Sequence, residues 1–493
     1  MAVIIESSVW EPNPYLFVFI FLCCFFSIFL LPYASKNGST RAPALFDHGF
    51  SSSFSSFQWK FLLLYSLASL MEGLWSVYGE FELTYRGVNR EEIVSSLGVG
   101  YAASLFVGTF LGVLSDLIGQ KEGCVMFCII HLVTAIWKRI SVHPSLFVAS
   151  IGLSLATSIF SFSFETWMVL QHEKQGHRQD MLSDTFWLMT VFESVSLIGN
   201  QMLLNSLVGD NVKRNMFSPS TVAVFLALIC ATFIIKGWTE VSQRIELEDY
   251  RTSFSSYIFS GKHRMFLLFT SCLRFCLTGY NFQASPFLPL HLIYNIFALF
   301  THKRIWLLAW AQASIHFSVA FFWILWAPTL VADGREVHLG LVYPCLLGSR
   351  ILGSSLFPWL MGRTSSFRTE DCLLYGFVVS GLVMSIVAFD YQELGVLVML
   401  FSLFHGCVGL ILPSLARLRT MYVPSKLRGG MISLSLAPAN AAILFFLLQD
   451  GYYRRIENSV IIAFAALSLF SSAGSMYALK RWGKHPYQNW QKQ

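Results

Sequence analysis

The chain has 493 residues, of which 55% are hydrophobic and only 13% are charged. Soluble domains carry about 25% charged residues, so the composition excludes an ordinary soluble protein and predicts one that is embedded in a lipid bilayer. The net charge of +6 is small, and its placement along the chain is more informative than its size.

Sites for metals, cofactors and catalysis are missing from the sequence. The ten cysteines are scattered and form no Cys-x-x-Cys pair or Cys-His cluster with metal-ligand spacing. A nucleotide-binding G-x-x-x-x-G-K-[ST] loop and a catalytic triad are also absent. We therefore expect no metal, no cofactor, no nucleic-acid partner and no enzymatic activity, with the lipid bilayer as the main surroundings of the chain.

The first apolar run extends from Tyr15 to Leu31. It is longer than the core of a typical secretory signal, and Glu6 and Glu11 precede it without any lysine or arginine. Neither feature suits a cleaved leader, so we expect residues 1–32 to form a retained transmembrane helix whose N-terminus faces away from the cytosol. A polar, serine-rich cytosolic linker is predicted at residues 33–59.

Two sets of six apolar runs follow the linker, one in residues 60–238 and the other in residues 305–480. Runs of about 20 apolar residues cross a membrane as helices. The sequence therefore predicts an all-α polytopic membrane protein with two six-helix halves plus an extra N-terminal helix. Residues 239–304 are expected to form a cytosolic connector, and residues 481–493 a cytosolic tail.

A short polar loop, Gly112-Val-Leu-Ser-Asp116-Leu-Ile-Gly119-Gln120-Lys121, joins the second and third of the twelve core runs. Its glycines permit close helix approach and a tight turn, and its aspartate can accept hydrogen bonds from a helix N-terminus. The loop resembles the G-x-x-x-D-R-x-G-R-[RK] motif of the major facilitator superfamily, with two arginines of that motif replaced. An ordinary Gly-Asp turn is the alternative interpretation.

The resemblance to this superfamily implies its fold and a conformational role for Gly112, Asp116, Gly119 and Lys121. In that role the loop would hold helices of the N-terminal half together in one state of the carrier. If the loop is cytosolic, the segments on its side carry about twice as many Lys and Arg residues as the opposite side. The basic residues of 417–428 fall on the same side of the membrane. They are expected to be lipid-headgroup anchors, or part of a latch in the C-terminal half that matches the loop.

The segment at about 261–302 does not fit this arrangement, because it is apolar but interrupted by residues such as Arg274 and Pro286. One interpretation is a re-entrant or interfacial hairpin. The other is an insertion such as a retained intron, since Ser260 joined to Lys303 would give an ordinary short connector. Sequencing of the transcript across this segment distinguishes the two.

Three further stretches narrow the resemblance: Ser161-Phe-Ser-Phe-Glu165-Thr-Trp167, Leu347-Gly-Ser-Arg-Ile-Leu-Gly353 and Cys407-Val-Gly409-Leu-Ile-Leu-Pro413-Ser414. They resemble the F-E-x-W, L-G-S-S and C-G-L-x-x-P-S blocks of the molybdate-anion transporter family, and Gln312 falls on a Gln-Ala of its seventh core helix. The resemblance covers residues 60–480 apart from the odd segment, and the extra helix has a counterpart. It implies a carrier of molybdate or a related oxyanion, with the plasma membrane as its location.

The chain departs from this family at positions of the expected cavity. The stretch Glu72-Gly-Leu-Trp-Ser-Val-Tyr78 stands where the family has D-W-L-Q-G-P-Y. His316 replaces a glutamate of many members, and Arg350 replaces a small residue. These differences bear on the identity of the substrate more than on the fold.

Arg350, together with its neighbour Ser349, is the main candidate for anion binding. Ionisable side chains in mid-helix are costly in lipid and usually face the bundle interior or a cavity. A guanidinium with nearby hydroxyl groups matches a tetrahedral oxyanion. The alternative is an arginine that locks two helices together through a carboxylate.

The remaining candidates are His316, Gln312, Glu72, Tyr78 and Glu165. Histidine side chains ordinarily titrate near neutral pH, so one expectation for His316 is that it couples a proton to anion movement, and a hydrogen-bonded core histidine is the alternative. The acids, to which Glu193 also belongs, cannot attract an anion, so we expect them to act as proton carriers, arginine partners or structural groups. Glu72 and Tyr78 are expected to line the cavity.

These observations lead to one main hypothesis and two alternatives. The main hypothesis is a secondary active transporter of the facilitator type, which moves molybdate or a similar oxyanion by alternating access around a midplane site. A coupled proton is a further expected partner. The alternatives are a facilitator-type transporter of another small solute, and a non-transporting membrane receptor or scaffold on the same fold.

Overall fold

The computed structural model describes residues 9–30, 48–85, 90–140, 145–176, 179–208, 219–238, 303–361, 367–389, 393–449 and 457–482. These residues are almost entirely helical. Within them there is one isolated β-bridge, between Trp10 and Val337, and no β-strand. The segment at 261–302, nearly all of the predicted connector and most of the predicted tail lie outside the described residues.

The helices are numbered here in chain order, with their bounds. They are α1 Pro14–Phe25, α2 His48–Tyr85, α3 Arg90–Ala103, α4 Thr109–Ile118, α5 Gln120–Ile140, α6 Leu146–Lys174, α7 Gln179–Val208, α8 Pro219–Gly237, α9 Lys303–Leu330, α10 Leu339–Leu360, α11 Thr369–Ala388, α12 Leu394–Tyr422, α13 Arg428–Ser435, α14 Ala437–Leu448 and α15 Asn458–Trp482. Short π-helical turns follow α1 and α3, at Phe26–Leu30 and Ser104–Gly108.

Eleven helical segments of the described residues are long and apolar enough to cross a membrane. Helices α3 and α4 count as one of them, Glu91–Asp116, and α13 and α14 belong to another, Ser425–Leu448. Helix α2 contains the predicted first core run, and α1 is a shorter apolar helix. The prediction of an all-α polytopic membrane protein is thereby confirmed. Helix α2 begins at His48, inside the stretch that the sequence assigns to a polar linker.

In the N-terminal half, α2 packs on α7 and α8, and α5 packs on α6 and α8. Three rings fill the space between α2, α6 and the end of α8. Trp167 and Trp238 stack with centroids 3.4 Å apart, and Phe61 stacks on Trp167 at 6.1 Å. Such aromatic contacts bury large apolar surfaces and fix the position of α6, which carries Glu165.

In the C-terminal half, α10 and α12 approach each other through glycines. A Cβ atom on Gly353 would overlap the carbonyl of Gly406, and one on Gly409 would overlap the carbonyl of Arg350. Small residues permit this close backbone approach between membrane helices. The contact fixes the level of Arg350 on α10 relative to α12.

The two halves meet along two seams. In one, α7 packs against α10 and α12, and in the other α4 and α3 pack against α13 and α14, respectively. Helix α6 also contacts α13. These seams bring side chains of α6 and α7 against side chains of α10, α12 and α13, and several buried charged residues meet there.

The extra helix α1 lies on α10. Ile20 packs against Gly348, where a Cβ atom would come within 2.6 Å of the isoleucine side chain, and the Cys24 thiol lies 3.6 Å from the Gly348 carbonyl. The backbone N–H of Trp10 donates to Glu336, and Trp10 accepts from His338. The start of α1 and the loop before α10 therefore lie at the same end of the bundle.

Candidate functional site

Three buried arginines of the C-terminal half meet two glutamates of the N-terminal half between the helices. The arginines are Arg350 on α10, Arg419 on α12 and Arg428 at the start of α13, and the glutamates are Glu165 on α6 and Glu193 on α7. We call these five residues the inter-half charge cluster. Each of the ion pairs within it joins one half to the other.

The Arg350 guanidinium pairs with Glu193, with 2.8 Å between Nη2 and Oε1. The hydroxyl of Tyr65 on α2 donates to the other oxygen of Glu193 at 3.1 Å. The Nε of Arg350 is buried without a hydrogen-bond acceptor. The hydroxyl of Ser349 donates to the Cys345 carbonyl of its own helix at 2.9 Å. In this conformation Arg350 thus locks two helices together through a carboxylate, which is the alternative interpretation of this residue. The Ser349 hydroxyl is bound to the backbone of its own helix.

Glu165 is shared by the other two arginines. Its Oε2 lies 2.5 Å from Nη2 of Arg419, and its Oε1 lies 3.0 Å from Nε of the same residue. Oε1 also accepts from Nη2 and Nε of Arg428, at 2.6 and 3.2 Å. Arg428 donates in addition to the Ala416 carbonyl at 3.1 Å and lies over the ring of Phe186. One carboxylate thus serves two guanidinium groups.

Gln312 extends this group into α9, because its side-chain oxygen accepts from Nη1 of Arg419. The predicted residues Gln312 and Glu165 are therefore connected through Arg419. The hydroxyl of Tyr65 donates to Glu193, and its ring packs against Phe164, the residue before Glu165, with centroids 6.1 Å apart, so Tyr65 lies between the two ion-pair groups. Within the cluster three positive charges face two negative ones, and its formal charge is +1.

His316 makes its hydrogen bond to a residue outside the cluster. Its Nε2 is 3.2 Å from the side-chain oxygen of Asn440 on α14, which is the hydrogen-bonded core arrangement. His405 on α12 is fully buried against Phe322 and Trp323, with ring centroids 4.5 and 4.9 Å away. Neither ring nitrogen of His405 has a hydrogen-bond partner.

Glu72 belongs to a separate polar group inside the N-terminal half. One of its oxygens lies 3.1 Å from Nε2 of His131 on α5, and the other accepts a hydrogen bond from Thr157 on α6. Glu72 is 23% exposed and His131 is fully buried. Tyr78 lies on the same helix as Glu72, but its side chain is outside the described residues.

The loop after α4 makes its strongest contacts with the opposite half. The carboxylate of Asp116 accepts from the backbone N–H groups of Gly429 and Gly430, at 3.1 and 2.6 Å, at the N-terminus of α13. Gln120 donates to the same carboxylate at 2.5 Å. The sequence-based hypothesis placed this latch among helices of the N-terminal half, whereas Asp116 connects the two halves, because a helix N-terminus attracts a carboxylate.

The other loop residues have more local roles. A Cβ atom on Gly112 would overlap Ser433 of α13, so this glycine permits the contact between α4 and α13. Gly119 separates α4 from α5 with φ of 135°, a conformation that favours glycine. Lys121 donates to the Ile235 carbonyl at 3.3 Å, within the N-terminal half.

Sequence reasoning did not identify Arg419 and Arg428 as site residues. The sequence-based alternatives for them were lipid-headgroup anchors or part of a matching latch. Both arginines are buried in the charge cluster, which contradicts the headgroup anchors and is compatible with a latch. An arginine beside a helix end has the same sequence context whether its side chain faces lipid headgroups or the other half of the protein. The one available signal was the number of carboxylates in mid-helix, since Glu165 and Glu193 need buried cations as partners. Among the described residues, no group of three or more His, Cys, Asp or Glu could hold a metal ion.

Comparison with known proteins agrees with this architecture. Two solved structures align with 86% of this chain. They are the proton:xylose symporter XylE, with a TM-score of 0.56, and the nucleoside transporter NupG, with a TM-score of 0.52. These alignments span 96% and 99% of those proteins at 12% identity, so they establish the fold alone. The fold is that of the major facilitator superfamily, and the protein is a multi-pass membrane protein of that class.

A family model of this superfamily, MFS_5, described as sugar transporters with 12 TM segments, matches residues 15–261. This match covers half of the chain, and the chain belongs to that family. Similar curated proteins are the molybdate-anion transporters of Takifugu rubripes, 24% identical over 62% of this chain, and of Danio rerio, 23% identical over 77%. The matches span 60% of the Takifugu rubripes protein, which is less than two thirds of its length, and 76% of the Danio rerio protein. The family and these relatives are named as transporters and not as enzymes.

Proposed function

We propose that the protein is a secondary active transporter that moves a small oxyanion, with molybdate as the first candidate, by alternating access. The observation that carries this proposal is the excess of arginine in the inter-half charge cluster, where three guanidinium groups meet two carboxylates. A buried excess of positive charge is costly unless an anion balances it. The names of the curated relatives support the choice of molybdate.

The transport cycle follows from where the cluster lies. If residues 60–238 and 305–480 move as two bodies, every ion pair of the cluster must open when the halves separate on its side. The bond between Asp116 and the start of α13 opens in the same movement. A substrate anion that replaces lost carboxylate contacts would lower the cost of this separation.

The predicted site residues have different parts in this proposal. Arg350 supplies a guanidinium whose Nε is unpaired, and Ser349 lies next to it at the same level of α10. Gln312 and Glu165 orient Arg419 through hydrogen bonds. Tyr78 is proposed to line the path on α2, and His316 to support the contact between α9 and α14.

A coupled proton is proposed to reside on the pair of Glu72 and His131. These two groups share a 3.1 Å contact in the N-terminal half and lie outside the arginine cluster, so a proton there is not repelled by an adjacent guanidinium. The neighbouring hydroxyl of Thr157 donates to Glu72. Proton entry at this pair would offset part of the negative charge of a bound dianion. The proposed location is the plasma membrane.

The proposed function is tested by uptake of radiolabelled molybdate into cells that express the protein, with its surface amount measured by biotinylation. We expect uptake above that of empty cells, and loss of that uptake in Arg419→Gln. A matched control is Lys480→Gln, which removes a cation from a peripheral pair with Asp371 and should transport normally.

Unlabelled competitors identify the substrate class. Sulfate and tungstate should inhibit molybdate uptake, whereas xylose and glucose should not. Uptake of labelled sugar without uptake of molybdate would identify a facilitator of another solute. Surface protein that transports neither class would contradict the proposal and favour a receptor or scaffold.

A further inference from the structure

The contacts of Glu165 resemble those of a bound anion. Its carboxylate makes four hydrogen bonds of 2.5–3.2 Å with the guanidinium groups of Arg419 and Arg428. In the described part of the chain it is the one carboxylate that hydrogen-bonds to either arginine. Both arginines belong to the C-terminal half, whereas Glu165 belongs to the N-terminal half.

Glu165 does not accept hydrogen bonds from all the N–H groups of these two arginines. Nη1 of Arg428 is buried and has no hydrogen-bond acceptor, although the side chain has no exposure to solvent. The exposed carboxylate of Glu173 acts on Arg428 only at a distance. Asp116 binds the backbone of the residues that follow Arg428 rather than its guanidinium. A tetrahedral oxyanion has four acceptor oxygens and can engage more of these donors than a carboxylate can.

We propose that Arg419 and Arg428 form a binding site for a tetrahedral oxyanion dianion, and that Glu165 occupies this site as an internal competitor when the carrier is empty. Binding of the dianion displaces Glu165, and the negative charge of the bound dianion then repels the released Glu165 carboxylate. Because Glu165 is the link between α6 and the arginines of α12 and α13, displacement opens the connection between the halves at this end. This inference rests on the proposed function, since it assigns the substrate site of that transporter.

The competition is measured by titrating purified full-length protein in nanodiscs with sodium molybdate. Removal of the competitor in Glu165→Gln should lower the Kd by about tenfold or more, because a charged acceptor no longer competes for the same donors. The matched control is Asp371→Asn, which also removes one negative charge but lies outside the cluster, where its carboxylate pairs with Lys480. Its Kd should change by less than about threefold.

Equal shifts in the two variants would indicate a general charge effect and would overturn direct competition. Arg419→Gln and Arg428→Gln should each abolish measurable binding. If both arginine variants bind molybdate like the wild type while Arg350→Gln does not, the transporter function stands and this site assignment is wrong. If the wild type and Glu165→Gln bind neither molybdate nor sulfate, both the site and the proposed function fail.

A second measurement uses the wild-type protein and does not depend on the folding of a variant. Hydrogen–deuterium exchange of the segment 425–433 should become faster with saturating molybdate, because this segment loses its links to α6 and α4. Sodium chloride at the same ionic strength is the control. Slower exchange of this segment with molybdate would show that the anion tightens the contact, which contradicts displacement.

Discussion

Asp116 of α4 accepts a 2.6 Å hydrogen bond from the backbone N–H of Gly430, so a carboxylate of one half caps the first turn of a helix in the other half. The same carboxylate accepts from Gly429 at 3.1 Å. A negative charge at a helix N-terminus is stabilised by unpaired N–H groups and by the helix dipole. This bond therefore favours the conformation in which α4 and α13 are in contact.

Replacement of Asp116 by Asn should weaken this contact. The loss of charge at the start of α13 is expected to cost about 1–2 kcal/mol of the free energy that holds the halves together at this end. The exchange rate of the amide protons of Gly429 and Gly430 should rise correspondingly. The control is Asp371→Asn, which removes a carboxylate bonded to Lys480 within the C-terminal half. Similar exchange at α13 in both variants would contradict an inter-half role for Asp116.

The pair of Arg350 and Glu193 should behave as a coupled unit. Loss of one partner leaves a buried charge unpaired, which typically costs about 3–5 kcal/mol. We expect Arg350→Gln and Glu193→Gln each to lower the thermal unfolding temperature, and the double variant to recover much of the loss. Fully additive losses in the double-mutant cycle would mean that the 2.8 Å contact is not an energetic interaction.

The approach of α10 to α12 depends on glycine. In Gly409→Ala the new Cβ atom would overlap the carbonyl of Arg350 and lie 3.0 Å from the amide nitrogen of Ser354, so the helices must separate. Such overpacking costs about 1–3 kcal/mol, and the unfolding temperature should fall. Gly474→Ala on α15 is the matched control, because no atom lies within 4 Å of its added methyl group. A drop of the same size in both variants would exclude a specific role for the α10–α12 contact.

The proposed proton site predicts a pH dependence. If a proton accompanies the anion, molybdate uptake rises as the external pH falls, since the proton gradient then drives more entry. Glu72→Gln removes the proposed proton carrier and should make uptake nearly independent of the external pH. His316→Gln, which can still hydrogen-bond to Asn440, should keep the wild-type pH profile. A reversed result would assign the proton to His316.

Much of the architecture follows from local properties of the sequence. Apolar runs of membrane length predict the helices, and the short loop at Gly112–Lys121 requires two antiparallel neighbours. The stretch that contains Glu165 is singled out by its resemblance to the F-E-x-W block of the molybdate-anion transporter family. The extent of α2 was less predictable, because its first residues are polar and serine-rich and hydropathy does not reveal a helix there.

The pairing of charges is where sequence reasoning was least informative. Arg350, Arg419 and Arg428 have similar local contexts as arginines in or beside apolar runs, yet Arg350 pairs with Glu193 whereas Arg419 and Arg428 share Glu165. Glu193 lies 157 residues from Arg350, and Glu165 lies 254 and 263 residues from Arg419 and Arg428. Hydropathy and motif spacing describe one helix at a time, so they carry no information about contacts over such separations.

The sequence by itself determined that the chain is a helical membrane protein, because helix length and the polarity of short loops are local consequences of composition. The facilitator type was indicated by the resemblance of the Gly112–Lys121 loop to a known family motif. Only the tertiary structure decided which charges share a site. The glycine contacts of α10 with α12, and the cap that Asp116 places on α13, set the distances between helices. Those distances bring Arg419 and Arg428 to Glu165 and leave His316 with Asn440.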